Sequence, residues 1–219
     1  MENTIRQILN KPDAPLILEE LKEILMKEAE RRKEFREWID DSMKAEFING
    51  EVFMHSPSKH KHWQALNLLA TLLSAYTRLH RLGTVGVEKV MISLTRNDYE
   101  PDIVFFNAEK AAGFTKDQLL FPAPDFVVEI LSSRTATRDK GIKKQDYAAH
   151  GVREYWIIDA DRQQVAQHFL LEGDMAYMEP YQYIIDDDIE SRVIKGFRIP
   201  VRAIFEEEAN VAALQVLVK

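Results

Sequence analysis

Two carboxylates, Asp102 and Glu129, stand in or beside short apolar runs, and a lysine-bearing stretch follows the second of them. The runs read Tyr99-Glu100-Pro101-Asp102-Ile103-Val104-Phe105-Phe106 and Pro124-Asp125-Phe126-Val127-Val128-Glu129-Ile130-Leu131. Each is a β-prone run opened by Pro-Asp. A carboxylate between Val128 and Ile130 is costly to desolvate unless a cation, a proton or hydrogen bonds compensate. A divalent metal is the compensation these residues suggest. Magnesium is hard and keeps several waters, so Asp102, Glu129 and one backbone carbonyl, that of Ile130, would suffice; manganese could replace it. Such an ion activates water near neutral pH and offsets charge growing on a phosphate, the two needs of phosphodiester hydrolysis. Asp125 shares a strand face with Glu129 but stands four residues away, about 13 Å, too far for the same ion.

A cation near the phosphate completes the set, and Lys140, Lys143 and Lys144 are available. Lys143 is the preferred one, on one helical face with Asp139 and Tyr147 at four-residue spacing. It is expected to act as a positioned charge. A base role would require its pKa to fall far below about 10.4, and neighbouring carboxylates push the other way.

These residues need elements to hold them. Leu18 to Trp38 has helical apolar spacing, one helix or two, after a start read as mobile. Asn49-Gly50 between Phe47-Ile48 and Val52-Phe53 predicts a hairpin. Lys59 to Leu79 predicts a long helix stopped at Gly83, and Val85 to Leu94 alternates as one strand with Glu88, Val90, Ile92 and Leu94 on one face. Ala108 to Leu119 reads as partly helical, Arg138 to His150 as a helix closed by Gly151, and Glu154 to Asp159 and Val165 to Leu171 as strands. Further strands are expected at Met175 to Ile185 and Ile189 to Ile194, then a short helix. No repeat or linker interrupts the chain, so one α/β domain is expected, a mixed β-sheet flanked by helices with an N-terminal helical extension. The boundaries are 1–44 for the extension, 45–205 for the domain and 206–219 for a tail.

With 219 residues and 46% hydrophobic content, the chain can bury a proper core. Its 29 basic and 36 acidic residues give a formal charge of -7, which disfavours coating nucleic acid by bulk electrostatics. Local clustering softens that point, since Arg134, Arg138, Lys140, Lys143 and Lys144 are opposed only by Asp139 between 134 and 144. Zero cysteines exclude disulfides and thiolate chemistry and fit a reducing compartment. With no signal-like start, and with Ala65 to Tyr76 too short to cross a bilayer of about 30 Å, a cytoplasmic protein without membrane contact is expected.

The order Pro101-Asp102, then Glu129, resembles the PD-(D/E)XK nuclease superfamily. The longer pattern resembles a bacterial family of restriction-type endonucleases within it. It is carried by Glu46 to Val52, Ser56-Pro57 followed by His62, Tyr99 to Phe106, Pro122 to Ser133, Asp139 through Lys143 to Tyr147, and His150 to Asp159. Together these span roughly 45 to 205. The superfamily lysine usually stands two residues after the glutamate; that position is Leu131, and the resemblance moves its role to Lys143. It also implies a restriction-endonuclease-like sheet, magnesium dependence, DNA as substrate, homodimerisation, and a role for His62 near phosphate or a metal-bound water.

Plainer readings stand beside these. Asp102 could cap a turn, Glu129 could be half of a buried ion pair, and Asp139 with Lys143 could be an exposed helix pair worth only about 0.2–0.5 kcal/mol. His62 could be an ordinary surface or core histidine, and His55, His60 and His62 fit no common zinc spacing. Glu88 is a candidate for the edge of the site or a solvent-facing residue past the sheet's margin, Glu46 and Glu51 are read as solvated although the resemblance gives them some weight, and Tyr155 and Trp156 are read as core. Carboxylates and lysine do not alone specify DNA. Another phosphoester, or a nuclease fold that binds nucleic acid without turnover, stays open.

Overall fold

The computed structural model describes residues 2–219. The chain opens with helices α1 (Glu2–Leu9) and α2 (Ala14–Trp38), so the start read as mobile is helical. Pro15 stands in the first turn of α2, where its missing N–H costs nothing. Asn49 and Gly50 both take positive φ, 50° and 85°, as a tight two-residue hairpin requires. They join β1 (Ala45–Ile48) to β2 (Glu51–Met54), with Ile48 opposite Glu51. The long helix α3 (His60–Leu79) follows.

The run read as one strand from Val85 to Leu94 is two. β3 (Gly83–Val87) and β4 (Met91–Ser93) are separated by Glu88 and Lys89, both at positive φ. They enter different sheets, and a left-handed pair of residues is not legible in alternation of side chains alone. After them come β5 (Asp98–Tyr99), β6 (Ile103–Asn107), the single turn α4 (Ala108–Ala111), β7 (Leu120–Phe121) and β8 (Phe126–Ile130). The stretch read as one helix from Arg138 to His150 is α5 (Ala136–Arg138), a π-helical turn (Asp139–Lys143) and α6 (Lys144–Ala149). Strands β9 (Glu154–Asp159), β10 (Gln164–Phe169), β11 (Tyr181–Tyr183), β12 (Asp188–Glu190) and β13 (Arg198–Pro200) lead to a 3₁₀ turn (Val201–Ile204) and α7 (Glu207–Leu217).

A mixed six-stranded sheet, β11-β10-β9-β8-β6-β3, forms the centre. Only β8 and β9 run parallel in it. Phe105, Phe126, Val128 and Trp156 face α3 and α7 on one side and build the larger core. The period-two alternation turns Val104, Val127, Tyr155 and Ile157 to the other side, where Tyr147 of α6 and Ile48, Ile92 and Tyr99 of a smaller five-stranded sheet cover them. The tail at 206–219 therefore packs into the core through Ala213 and Leu217 of α7. No helix among the described residues is long and apolar enough to cross a membrane.

Candidate functional site

The pairing of β6 with β8 is antiparallel, with Ile103 opposite Val128. One step further sets Asp102 opposite Glu129, and directly opposed residues project from the same face. Both carboxylates therefore stand on the face covered by α6 and the smaller sheet, at its rim, and both line one cavity of about 760 Å³. Asp102 Oδ2 accepts the Ile130 N–H at 2.8 Å, which fixes the carboxylate beside β8.

The helix after β8 delivers the ammonium through its π turn. One turn widened to five residues carries both Asp139 and Lys143 inward. Lys143 Nζ lies 2.8 Å from Glu46 Oε1, 3.0 Å from Glu129 Oε1 and 3.3 Å from Asp139 Oδ1. The Tyr147 hydroxyl donates to the same Glu129 oxygen at 3.2 Å, and Tyr155 donates to the Asp139 carbonyl at 3.0 Å, pinning the turn. Lys143 is only 1% exposed, so the exposed helix pair with Asp139 is excluded.

Burial works against the Lys143 charge, but Glu129, Glu46 and Asp139 outweigh it and hold its pKa well above the ordinary value. Burial pushes Glu129 well above its usual range; Lys143 opposes this, while Asp139, Asp102 and Glu46 add to it. Burial leads the Glu129 shift and the surrounding carboxylates lead the Lys143 shift, and an excess of carboxylates over cations contributes to both.

His62, at the start of α3, places Nε2 3.4 Å from Asp102 Oδ2. Burial would lower its pKa, but Asp102 raises it on balance. Burial would raise Asp102; His62, Lys44 and the Ile130 amide prevail and hold it at about 2. Lys44 Nζ stands 3.5 Å from Asp102 Oδ1 and 3.5 Å from Glu88 Oε1, so Glu88 does reach the rim of the site. The Glu88 N–H also donates to the Asp102 carbonyl at 2.9 Å.

Glu46 corrects the sequence reading. It is fully buried rather than solvated, whereas Glu51 is exposed. Ala45 and Phe47 pack on Phe35 of α2, so alternation turns Glu46 and Ile48 toward the central sheet. Its Oε1 accepts the Glu100 N–H at 3.0 Å besides meeting Lys143, and its Oε2 lies 3.3 Å from His55 Nε2. Burial would raise its pKa, but Lys143 and His55 bring it below the usual range. The signal was present in the hairpin: Glu46 shares a face with an apolar Ile48. Lys44, His55 and Asp139 were also missed as site members, because their spacing in sequence shows nothing until the hairpin and the π turn fold over β8.

The basic cluster from 134 to 144 does not form one groove. Arg134, which bonds Ser56, and Arg138, stacked over the Phe53 ring at 4.4 Å, line the site cavity. Lys140 and Lys144 line a separate cavity of about 390 Å³, whereas the buried Lys143 belongs to the lining of the site cavity. Leu131, where the superfamily lysine usually stands, packs among apolar neighbours. Asp125 lies at the other end of β8, where it accepts from Asn107 and Arg153.

Among the described residues no three His, Cys, Asp or Glu side chains form a ready cage for a metal. The donor set still fits a hard ion that asks for one or two carboxylates and keeps its waters. Asp102 and Glu129 share the cavity with Ile130, and Asp139 Oδ1 and Glu46 Oε2 have only ionic contacts at 3.3 Å, from Lys143 and His55, without a well-formed hydrogen bond. Negative charge in this corner is under-compensated, as a cation site would have it.

The mixed sheet flanked by helices is similar to a nuclease fold. A solved structure described as a "putative nuclease belonging to DUF820" from Anabaena variabilis ATCC 29413 is similar to it, with a TM-score of 0.68 at 17% identity over 79% of this chain and 96% of that one. Residues 32–202 match the Uma2 family, described as "Putative restriction endonuclease", and the chain belongs to that family. None of the curated proteins matches it.

Proposed function

We propose that this protein is a magnesium-dependent endonuclease that hydrolyses DNA phosphodiester bonds, with manganese able to substitute, and that it acts as a homodimer in the cytoplasm. The observation that carries the reading is the register that brings Asp102 and Glu129 face to face in one cavity with a lysine at hydrogen-bonding distance. Asp102, Glu129 and the Ile130 carbonyl would hold the ion, which when bound activates water and screens the phosphate. Lys143 and Tyr147 fix the Glu129 carboxylate by bonding Oε1. Lys143 stays an ammonium throughout, a positioned charge rather than a base, because three carboxylates hold its proton. His62 orients Asp102 and presents a ring that can carry a proton at the cavity wall. Lys44, Arg134 and Arg138, also on that wall, supply positive charge for a phosphate backbone. The organisation we assign is a helical extension at 1–44, a nuclease domain at 45–205 and a tail at 206–219.

Purified protein with supercoiled plasmid and magnesium is the test. Nicked and linear products are expected from the native chain, and Asp102→Ala and Glu129→Ala should each abolish them. Cleavage indifferent to both substitutions refutes the assignment. A second reading, a nuclease fold that binds DNA without turnover, rests on Leu131 in the customary lysine position. It predicts salt-dependent DNA binding and no metal-linked rise in Tm.

A further inference from the structure

The docking face of α2 does not end where the body of the protein ends. From Glu28 onward this face is engaged. Glu28 pairs with Arg96 in bidentate fashion at 2.7 Å, Arg32 and Arg36 both clamp Asp98, and Phe35 packs against Phe47 with the rings tilted. At 3.6 residues per turn, Ile17, Leu18, Leu21, Ile24 and Leu25 continue the same face toward the N-terminus. There Ile17 is half-buried but the rest is open: Leu18 is 49% exposed, Leu21 47%, Ile24 49% and Leu25 41%. Ile5 and Leu9 of α1 are exposed as well. The family match covers residues 32–202, so this stretch lies outside it.

We propose that this stripe is a self-association surface on which α2 of a second copy lies antiparallel. It builds on the homodimer reading above and names the surface that makes the dimer. The register follows from the residues. In heptad terms Leu21 and Ile24 occupy the two seam positions, and an antiparallel pair sets one against the other across the two-fold axis. That register brings Leu18 against the partner's Leu25 on one flank and Glu20 against the partner's Lys27 on the other, each twice by symmetry. Among the described residues neither Glu20 nor Lys27 has an ion-pair partner within its own chain, and both are exposed. The exposed apolar side chains of the stripe form the centre of this contact, and the paired charges of Glu20 and Lys27 stand on its rim.

Sedimentation equilibrium of the full chain over a concentration series tests this. The native protein is expected to dimerise, and Leu21→Glu with Ile24→Glu to be monomeric with the Tm the native chain shows at dilutions where it is itself monomeric, because both positions face solvent in the single chain. Glu20→Lys and Lys27→Glu should each raise the dimer Kd by about tenfold, and the two together should restore it. The cysteine-free chain allows a second readout: Glu20→Cys mixed with Lys27→Cys forms a disulfide-linked dimer under oxidation, and neither variant does so alone. A native protein that stays monomeric throughout overturns both this inference and the homodimer reading. A dimer untouched by Leu21→Glu with Ile24→Glu overturns the surface while leaving the homodimer intact.

Discussion

Replacing Lys143 by methionine keeps the length of the side chain and removes its charge. The ammonium it deletes is buried and lies within 3.3 Å of oxygens on Glu46, Glu129 and Asp139. Breaking a buried ion pair from one side costs about 3–5 kcal/mol, because the remaining charges are left without compensation. For a chain of this size that is a fall in Tm of roughly 6–20 °C at neutral pH. The pH dependence has a definite sign. Without Lys143 the three carboxyls are held above their unfolded pKa values by burial and mutual repulsion, so the folded state binds more protons than the unfolded one. Stability of the variant must therefore fall as pH rises from about 5 to 8, and acid must recover part of the loss. Adding Glu129→Gln should recover part of it at every pH. Differential scanning calorimetry at pH 5 and pH 8 reads all of this. A variant as stable as the native chain at pH 8, or one stabilised by raising the pH, would refute the assignment of Lys143 as the compensating charge of the acidic site.

Two further outcomes concern regions away from the site. Glu154 is buried and accepts from Trp156 Nε1 at 2.6 Å, Gln167 Nε2 at 2.8 Å, and Ser191 Oγ and the Arg192 and Val193 amides at 2.9 Å each. Glu154→Ala should cost about 3–5 kcal/mol by thermal denaturation with no change in metal-linked stabilisation; a loss below about 1 kcal/mol would show that this staple is dispensable. Burial and then Lys144 lower the pKa of His168 to about 4. Between that value and the unfolded value near 6.5 only the unfolded chain takes up the proton, so stability falls as pH drops through this window, by about 1–2 kcal/mol after screening. His168→Phe should flatten that slope in calorimetry, and an unchanged slope would assign it to another group.

Legibility followed locality. The two Pro-Asp runs, the Asn49-Gly50 turn and the long helix from His60 could be read because each is set by neighbours in sequence. The break at Glu88 and Lys89 could not, since two left-handed residues leave no mark on an alternating pattern, and β3 and β4 separate into different sheets there. The π turn was hidden in the same way: helical spacing places Asp139, Lys143 and Tyr147 on one face but does not show that the turn widens or buries. Glu129 stands out in sequence through the cost of burying a carboxylate between Val128 and Ile130, whereas Asp102 after Pro101 reads equally as a turn residue and is singled out by the family resemblance. Glu46 was read as solvated because its burial comes from α2 covering the far side of β1, a contact between segments distant in sequence. Lys44 and His55 reach the same corner because they flank that hairpin.

Crystals grown with manganese and measured at its absorption edge test the central claim most directly. The account predicts one anomalous peak bridging Asp102 and Glu129, about 2.0–2.3 Å from an oxygen of each and beside the Ile130 carbonyl, lost in Glu129→Ala. Manganese bound elsewhere, or a fully loaded crystal with no density between those carboxylates, would contradict it.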